Sequence, residues 1–456
     1  MSVPVVLFTS DLRLHDHPPL RAALSGADEV LPLFVRDLAI ERTGFAVPNR
    51  AAFLADCLAG LDAGLRERGG RLVVRTGDVV EEVCRAVTEA GSDEVHLSAA
   101  PSAYGHRREQ RLHDALERQG CRLFVHDGVA HAVAPGEVTP ASSDHFAVFT
   151  PYFRRWSQCA LRAPSPAPRE VRVPEGIGSE ALPDRAKVAG TSPGLARGGE
   201  QEGRARLAAW LRDGVEAYEE RHDDLAGDAT SRLSPHLHFG TLSPVECVQR
   251  ARRRGGAGAD AFVRQLAWRD FHHQVLAARP QAATADYRDR HDRWRGAAAR
   301  DDIDAWKEGR TGYPIVDAAM RQLAHEGWMH NRGRLLAASF LAKSLYVDWR
   351  VGARHFMDLL VDGDVANNQL NWQWVAGTGT DTRPNRVLNP LRQAHRYDPE
   401  GAYVRRWVPE LRDVEGASVH EPWKLPGLER AGVDYPEPIV GLPEALERFQ
   451  RARSNV

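Results

Sequence analysis

No CxxC pair occurs anywhere in this chain, and its five cysteines (Cys57, Cys84, Cys121, Cys159, Cys247) are scattered and odd in number. That pattern supports neither a disulfide framework nor a thiolate zinc site, and the cysteines are expected as small buried hydrophobes. No apolar run approaches the ~18 residues that a spanning helix needs, and the start MSVPVVLFTSDLR has no basic segment or small-residue cleavage site. The expected compartment is the cytoplasm. Charge of one sign is missing as well: 60 Lys and Arg against 62 Asp and Glu leave a formal charge of −2. Contact with nucleic acid would therefore have to come from a local basic patch. Finally, no GxGxxG follows the first apolar run, which disfavours an ordinary dinucleotide-binding Rossmann domain.

What is present divides into two characters. At 456 residues with 43% hydrophobic and 27% charged residues, the chain reads as globular with two domains. Short valine- and leucine-rich runs (5–9, 30–35, 71–75, 94–98 and 122–126) alternate with longer amphipathic stretches. This predicts a doubly wound parallel sheet over 1–130. Ligands of such sheets bind outside the carboxyl ends of the strands, where TSDLRLHDHP (9–18) and VRDLAI (35–40) would lie. Residues 131–200, rich in proline and glycine, read as a connector. From 201 to 456 the period becomes helical: Val316, Ala319, Met320 and Leu323 follow i, i+3, i+4, i+7.

Four stretches carry chemistry. In ATSRLSPHLHFGTLSP (229–244), Thr230, Ser231 and Ser234 surround Arg232, which suits a phosphate cradle as well as it suits ordinary helix capping. In HEGWMHNRGR (325–334), His325 and His330 are five apart and so lie on different helix faces, which argues against HExxH zinc chemistry. A helix begun after Gly327 could aim Arg332 and Arg334 at phosphates, or simply present a solvated face. In FVRQLAWRDFHH (262–273), Gln265, Trp268 and Phe271 share a helical face near Arg264 and Arg269, a pattern for stacking on a base or for a core edge with snorkelling arginines. In DGDVANNQLNWQW (362–374), carboxylates, amides and tryptophans crowd a segment flanked by apolar residues, which favours a polar ligand over a bare helix end. Trp372 and Trp374, two apart, serve different surfaces.

Taken together, TSRLSP, WKEGRTGYPIVDAAMRQL, GWMHNR, DGDVANN, WQWVAGTGTD and WVPEL, in this order, resemble the photolyase/cryptochrome family, nearest its class I cyclobutane pyrimidine dimer branch. The resemblance covers nearly the whole chain. It implies an N-terminal α/β antenna domain (1–130), a connector (131–200) and a C-terminal helical domain (201–456) holding FAD. By motif, Tyr218 and Thr230, Ser231, Arg232, Leu233 and Ser234 would hold the phosphate side of the cofactor. Asn331, Arg334, Asp362, Gly363 and Asp364 would line it, with Arg334 and Asp362 as a pair. Asn368 would face flavin N5, where an amide can accept from a protonated nitrogen. Trp372, Trp349 and Trp294 match a chain of oxidisable indoles running to the surface. Trp268 and Trp374 match the pair bracketing a flipped-out pyrimidine dimer, with Gln265, Arg269, Arg332 and Arg386 on the DNA side. The implied activity is light-dependent repair of pyrimidine dimers in DNA, preferred over undamaged DNA, by a metal-free monomer without membrane attachment. The alternatives are a cryptochrome-like photoreceptor or a (6-4) photolyase.

The chain departs from the pattern at some positions. Gln265 stands where cyclobutane enzymes usually carry glutamate, and it can hydrogen-bond but supply no charge. The (6-4) enzymes share that glutamine but have histidine where this chain has Asn331. Arg50 in VPNR, with Arg36 nearby, points to an 8-hydroxy-5-deazaflavin antenna rather than 5,10-methenyltetrahydrofolate or none, although SAAPSAYG (98–105) lacks the acidic residues of antenna-binding relatives.

Overall fold

The computed structural model describes residues 2–100 and 102–454. By internal contacts the chain forms two compact units. The first comprises Met1–Thr191, Ala196–Glu216 and Ser231–Pro280, and the second Ser192–Leu195, Ala217–Thr230 and Gln281–Val456.

The five apolar runs of the N-terminal region all become strands: β1 Val5–Phe8, β2 Leu31–Asp37, β3 Val73–Gly77, β4 Glu94–Ser98 and β5 Arg122–His126. They pair in parallel in the order β3-β2-β1-β4-β5, with Val5 opposite Leu31 on one side and Val95 on the other. β1 is buried at every position, whereas the edge strand β5 is partly exposed. A central parallel strand has helices on both faces, so it reads as a continuous apolar run rather than an alternation. Helices Pro18–Gly26, Pro48–Arg66, Val79–Ala90 and Ala103–Arg118 supply the covering layers.

The strand-end polar runs are consumed by the fold itself. Asp11, after β1, accepts the Thr9 amide at 2.7 Å and bonds His17 at 2.9 Å and the Ser98 hydroxyl. Asp37 caps the short helix Leu38–Arg42 and accepts the Tyr104 hydroxyl.

Apart from the helix Phe149–Trp156 and a turn at Arg185–Lys187, the connector is irregular, yet it is firmly tied. Asp270, on the helix Ala257–Ala278, accepts the amides of Ala132 (3.1 Å) and Val133 (3.0 Å) and the Trp156 indole (3.0 Å). Gln274 exchanges both of its hydrogen-bonding atoms with the backbone of Phe146. Burial raises the Asp270 carboxyl above the usual carboxylate range, against the pull of Arg269.

In the second unit the predicted stripe is correct: Val316, Ala319, Met320 and Leu323 are all buried on the helix Pro314–Glu326. Proline at the first turn costs no intrahelical hydrogen bond, and Gly327 at φ +60° ends the helix in a left-handed conformation. Helices Asn331–Ser339, Trp349–Leu359, Val365–Ala376 and Leu442–Ser454 follow. The change of hydrophobic period near residue 200 does not coincide with the division into units, because helices Pro244–Arg254 and Ala257–Ala278 group with the sheet. Periodicity reports which face of a helix is apolar, not which core receives it. No described helix is long and apolar enough to cross a membrane.

Candidate functional site

The second unit brings the flavin-motif residues to the starts of two helices. His330 caps the first, its Nδ1 accepting the Arg332 amide at 3.1 Å. One turn on, Arg334 donates to Asp362 at 2.8 Å and to the Met329 carbonyl at 2.9 Å. The Asp362 side chain is 3% exposed, and its second oxygen is buried with no hydrogen-bond partner. Past Gly363, Asp364 caps the second helix by accepting the Asn367 amide at 2.7 Å. Asn368 donates its amide nitrogen to the Ala353 carbonyl at 3.0 Å and to Gln369 at 3.1 Å. The amide oxygen is thereby left as the acceptor that a ligand could use. The indole nitrogen of Trp372 and the hydroxyl of Thr230 are also buried without a partner.

Leaving a buried polar group unpaired costs roughly 1–3 kcal/mol. The Asp362 oxygen, the Trp372 indole N–H and the Thr230 hydroxyl each carry that cost, and each is left able to pair with a ligand atom. Tyr218 is buried, which pushes its phenol above the ordinary range. In the first unit Ser231 accepts the Leu233 amide at 3.4 Å, Arg232 takes φ +51° and Ser234 opens a five-residue helix. A left-handed arginine between two serines is the kind of strained turn that clusters at ligand sites.

The three tryptophans of the expected chain lie in the second unit. Trp372 is 2% exposed and makes ring contacts with Phe356 (4.9 Å) and Trp306 (6.0 Å). Gly352 is required beside it, because a Cβ there would come within 2.1 Å of the indole. Trp349 is fully buried and donates its indole N–H to Asp286 at 2.8 Å. Trp294 is half-buried, its ring 4.9 Å from that of Tyr346. Sequence reasoning singled out neither Trp306 nor Tyr346. Both sit inside the family motifs or their flanking apolar runs, where aromatics read as core.

Among the DNA-side residues, exposure along the helix Ala257–Ala278 is graded: Gln265 exposed, Trp268 half-buried, Phe271 fully buried. One face of Trp268 is stacked on Phe149, with centroids 3.7 Å apart and planes within 6°. On the helix Val365–Ala376, Trp372 is buried and Trp374 only partly so, as their spacing requires.

Two arginines behave differently from the sequence expectation. Arg332 does not lie on a solvated face: it donates to Asp223 at 3.2 Å, and its guanidinium lies 4.3 Å over the Tyr397 ring. Arg269 donates to the carbonyls of Ala130 (2.7 Å) and Leu237 (3.4 Å), so it fastens backbone. Arg383 and Arg386, on the loop after the helix Val365–Ala376, are exposed.

In the α/β region Arg50 is buried, donating to the Phe45 carbonyl at 2.9 Å, and Arg36 is an exposed partner of Glu41 at 3.7 Å. Beyond β4 and β5 lies a cavity of about 300 Å³ lined by Ala99, Ala100, His106, His131 and Gln274, with neither arginine in its wall. Pro101, in the loop 98–105, lies outside the described residues.

Residues 4–170 match the family model for DNA photolyase, and residues 262–455 match that for the FAD binding domain of DNA photolyase. A deoxyribodipyrimidine photo-lyase of Streptomyces griseus is 68% identical over 454 residues, covering 99% of each chain. The fold matches a bacterial class III photolyase of Agrobacterium tumefaciens with a TM-score of 0.93 at 33% identity, over 100% of this chain and 98% of that one. It also matches an archaeal photolyase of Sulfolobus tokodaii, whose structure holds two FAD molecules, with a TM-score of 0.87 at 32% identity over 99% and 100%. Motif order, sheet topology and full-length similarity agree: the chain belongs to the DNA photolyase family.

Proposed function

We propose that the chain is a light-dependent DNA repair lyase that splits cyclobutane pyrimidine dimers. The observation that carries this reading is the 68% identity, over 99% of both chains, with a deoxyribodipyrimidine photo-lyase. Bound FAD supplies the light-driven electron chemistry, and the protein supplies position and polarity. Arg334 and Asp362 hold a polar edge of the cofactor, and Asn368 presents its amide oxygen as an acceptor at N5. Tyr218 and the segment Thr230–Ser234 serve the phosphates, while Asn331, Gly363 and Asp364 complete the wall. Trp372, Trp349 and Trp294 carry electrons inward from the surface. On the substrate side, Trp268 and Trp374 offer ring faces to a flipped-out pyrimidine dimer, which has to leave the stack before chemistry can reach it. Gln265 hydrogen-bonds the lesion without charge, and Arg386 with Arg383 meets the backbone phosphate. Arg332 and Arg269 position their surroundings.

The enzyme works as a monomer on DNA in the cytoplasm. Its antenna is an 8-hydroxy-5-deazaflavin recognised beside Arg50. Extraction and chromatography of the chromophores from purified protein tests this, and finding a folate, a second FAD or nothing refutes it. For the activity itself, the reduced protein is illuminated with DNA carrying only cyclobutane dimers and, separately, only (6-4) products. Light-dependent loss of the cyclobutane dimers alone is expected. Loss of neither lesion by protein that holds FAD would instead favour a photoreceptor.

A further inference from the structure

The middle indole of the three read as an electron-transfer chain is held by a carboxylate. Trp349 is fully buried at the start of the helix Trp349–Leu359, and its indole N–H donates to Asp286 at 2.8 Å. The inner indole differs: the Trp372 N–H is buried with no partner. Asp286 is itself fixed. Its side chain is 14% exposed, and the oxygen that accepts the indole also accepts Nη2 of Arg350 at 2.8 Å. The Arg350 guanidinium lies 4.7 Å over the Trp349 ring, donates to Asp348 at 3.0 Å through Nη1 and to the Thr284 carbonyl at 2.7 Å through Nε. Two carboxylates against one guanidinium leave this cluster a net negative charge beside a buried indole.

Oxidation puts a positive charge on an indole and makes its N–H a stronger donor. A carboxylate already aimed at that N–H stabilises the charged form more than the neutral one, and it needs no reorganisation when the electron leaves. The arginine over the ring face acts in the opposite sense, by simple repulsion.

We propose that Asp286 is a positioning residue of the photoreduction path: it lowers the potential of Trp349 below that of Trp372, so that the electron vacancy moves outward and stays there. The step balances. One electron passes from Trp349 to the Trp372 radical cation, which becomes a neutral indole, and the positive charge now sits on Trp349. The N–H proton stays in its hydrogen bond, because Arg350 shares the accepting oxygen and favours its ionised form. This rests on the reading of Trp372, Trp349 and Trp294 as a chain and adds what gives its first protein-internal transfer a direction.

The experiment is time-resolved absorption of the FAD-loaded full chain after a light pulse, in a Trp294→Phe background that confines the vacancy to Trp372 and Trp349. There the vacancy equilibrates between two indoles and is lost through Trp372, so its lifetime scales with the share held on Trp349. Asp286→Asn, a neutral amide of the same shape, should shorten that lifetime roughly tenfold, since a charge-assisted hydrogen bond is replaced by a neutral one. Arg350→Gln, which removes the cation over the ring, should lengthen it, and Asp286→Glu should keep it near the background value. A role in folding alone predicts no such opposite signs. Without any light, the indole N–H proton resonance of Trp349, assigned by its loss in Trp349→Phe, should move upfield in Asp286→Asn. A lifetime unchanged in Asp286→Asn although that resonance has moved overturns the proposal and leaves the tryptophan chain intact. So does an unchanged or shorter lifetime in Arg350→Gln, which carries the test where Asp286→Asn folds poorly. If no tryptophan radical forms in wild type or in Trp294→Phe, the chain reading fails and the proposal fails with it.

Discussion

Replacing Lys343 with methionine should alter both the pH profile of stability and the hold on DNA, because this lysine is a buried cation that braces an exposed loop. It lies in the wide helical turn Phe340–Ser344 and is 2% exposed. Its ammonium donates to the carbonyls of Pro384 (2.9 Å) and Arg386 (2.6 Å). Four residues earlier, Ser339 accepts the Leu388 amide at 3.2 Å, so one helix face grips both ends of the loop segment 384–388. The loop has no room to slide: Gly377, at φ +85°, would bring a Cβ within 2.3 Å of the Pro384 oxygen.

Burial first, then the nearby Arg453, lowers the Lys343 pKa from the ordinary 10.5 to about 7, with Asp381 and Asp292 opposing and Arg386 adding to the depression. Below pH 7 the lysine is charged both folded and unfolded, and the cost of burying the charge is paid in full. As pH rises from 7 toward 10.5 the folded form sheds its proton first, so the unfolded chain binds more protons and stability climbs. At 1.36 kcal/mol per pH unit, moving from about pH 6.5 to about pH 9 should recover roughly 2–3 kcal/mol. Methionine has no such slope, but it strips a donor from two carbonyls, at about 1–3 kcal/mol each.

The difference in urea-melt free energy, wild type minus variant, should therefore grow by roughly 2–3 kcal/mol across that pH range, while every other titrating group cancels. Holoprotein melts of the two proteins in matched buffers measure it. Parallel pH profiles would refute the reasoning. On the functional side, freeing the loop that carries Arg383 and Arg386 should weaken binding of damaged DNA at fixed salt, read by fluorescence anisotropy.

Further outcomes follow from the same geometry. Arg334→Met should leave Asp362 buried and uncompensated, costing about 3–5 kcal/mol and releasing FAD, which thermal melting and the flavin absorbance after gel filtration report. Gly352→Ala should force the Trp372 indole to move and destabilise the protein by roughly 1–3 kcal/mol; a lower quantum yield of photoreduction in protein that keeps its FAD would show that the displacement reaches the electron-transfer chain. Gln265→Glu should strengthen the hydrogen bond to the lesion by about 1 kcal/mol, seen as roughly fivefold faster single-turnover loss of cyclobutane dimers. An unchanged rate would show that Gln265 does not contact the lesion.

What could be read from the sequence was what depends on neighbours along the chain. The β1 run Val5–Phe8 announces a central parallel strand because both of its faces are buried, and the 316/319/320/323 stripe announces one apolar helix face. Gly327 and Pro314 mark the helix limits for equally local reasons. The guanidiniums were harder to read. Arg332 and Arg269 look alike in sequence to any phosphate-seeking arginine, but their partners, Asp223 and the Ala130 carbonyl, lie 109 and 139 residues away. Nothing in a local pattern distinguishes a cation that will meet a phosphate from one that will meet a distant carboxylate.

Lys343 and Tyr346 show what a legible signal at such positions would have been. Each is a large polar or polar-tipped residue inside the mostly apolar run ASFLAKSLYVDW, where burial of an amine or a phenol has to be answered by a hydrogen bond. That requirement predicts that each has a partner but not which one. The partners, a loop backbone for Lys343 and Asp292 for Tyr346, turn two polar interruptions of an apolar run into fixed points of the fold. Polar residues in apolar runs are thus where this chain's remaining chemistry should be sought first, because a buried polar group without a function to serve is a cost that an apolar side chain of the same size avoids.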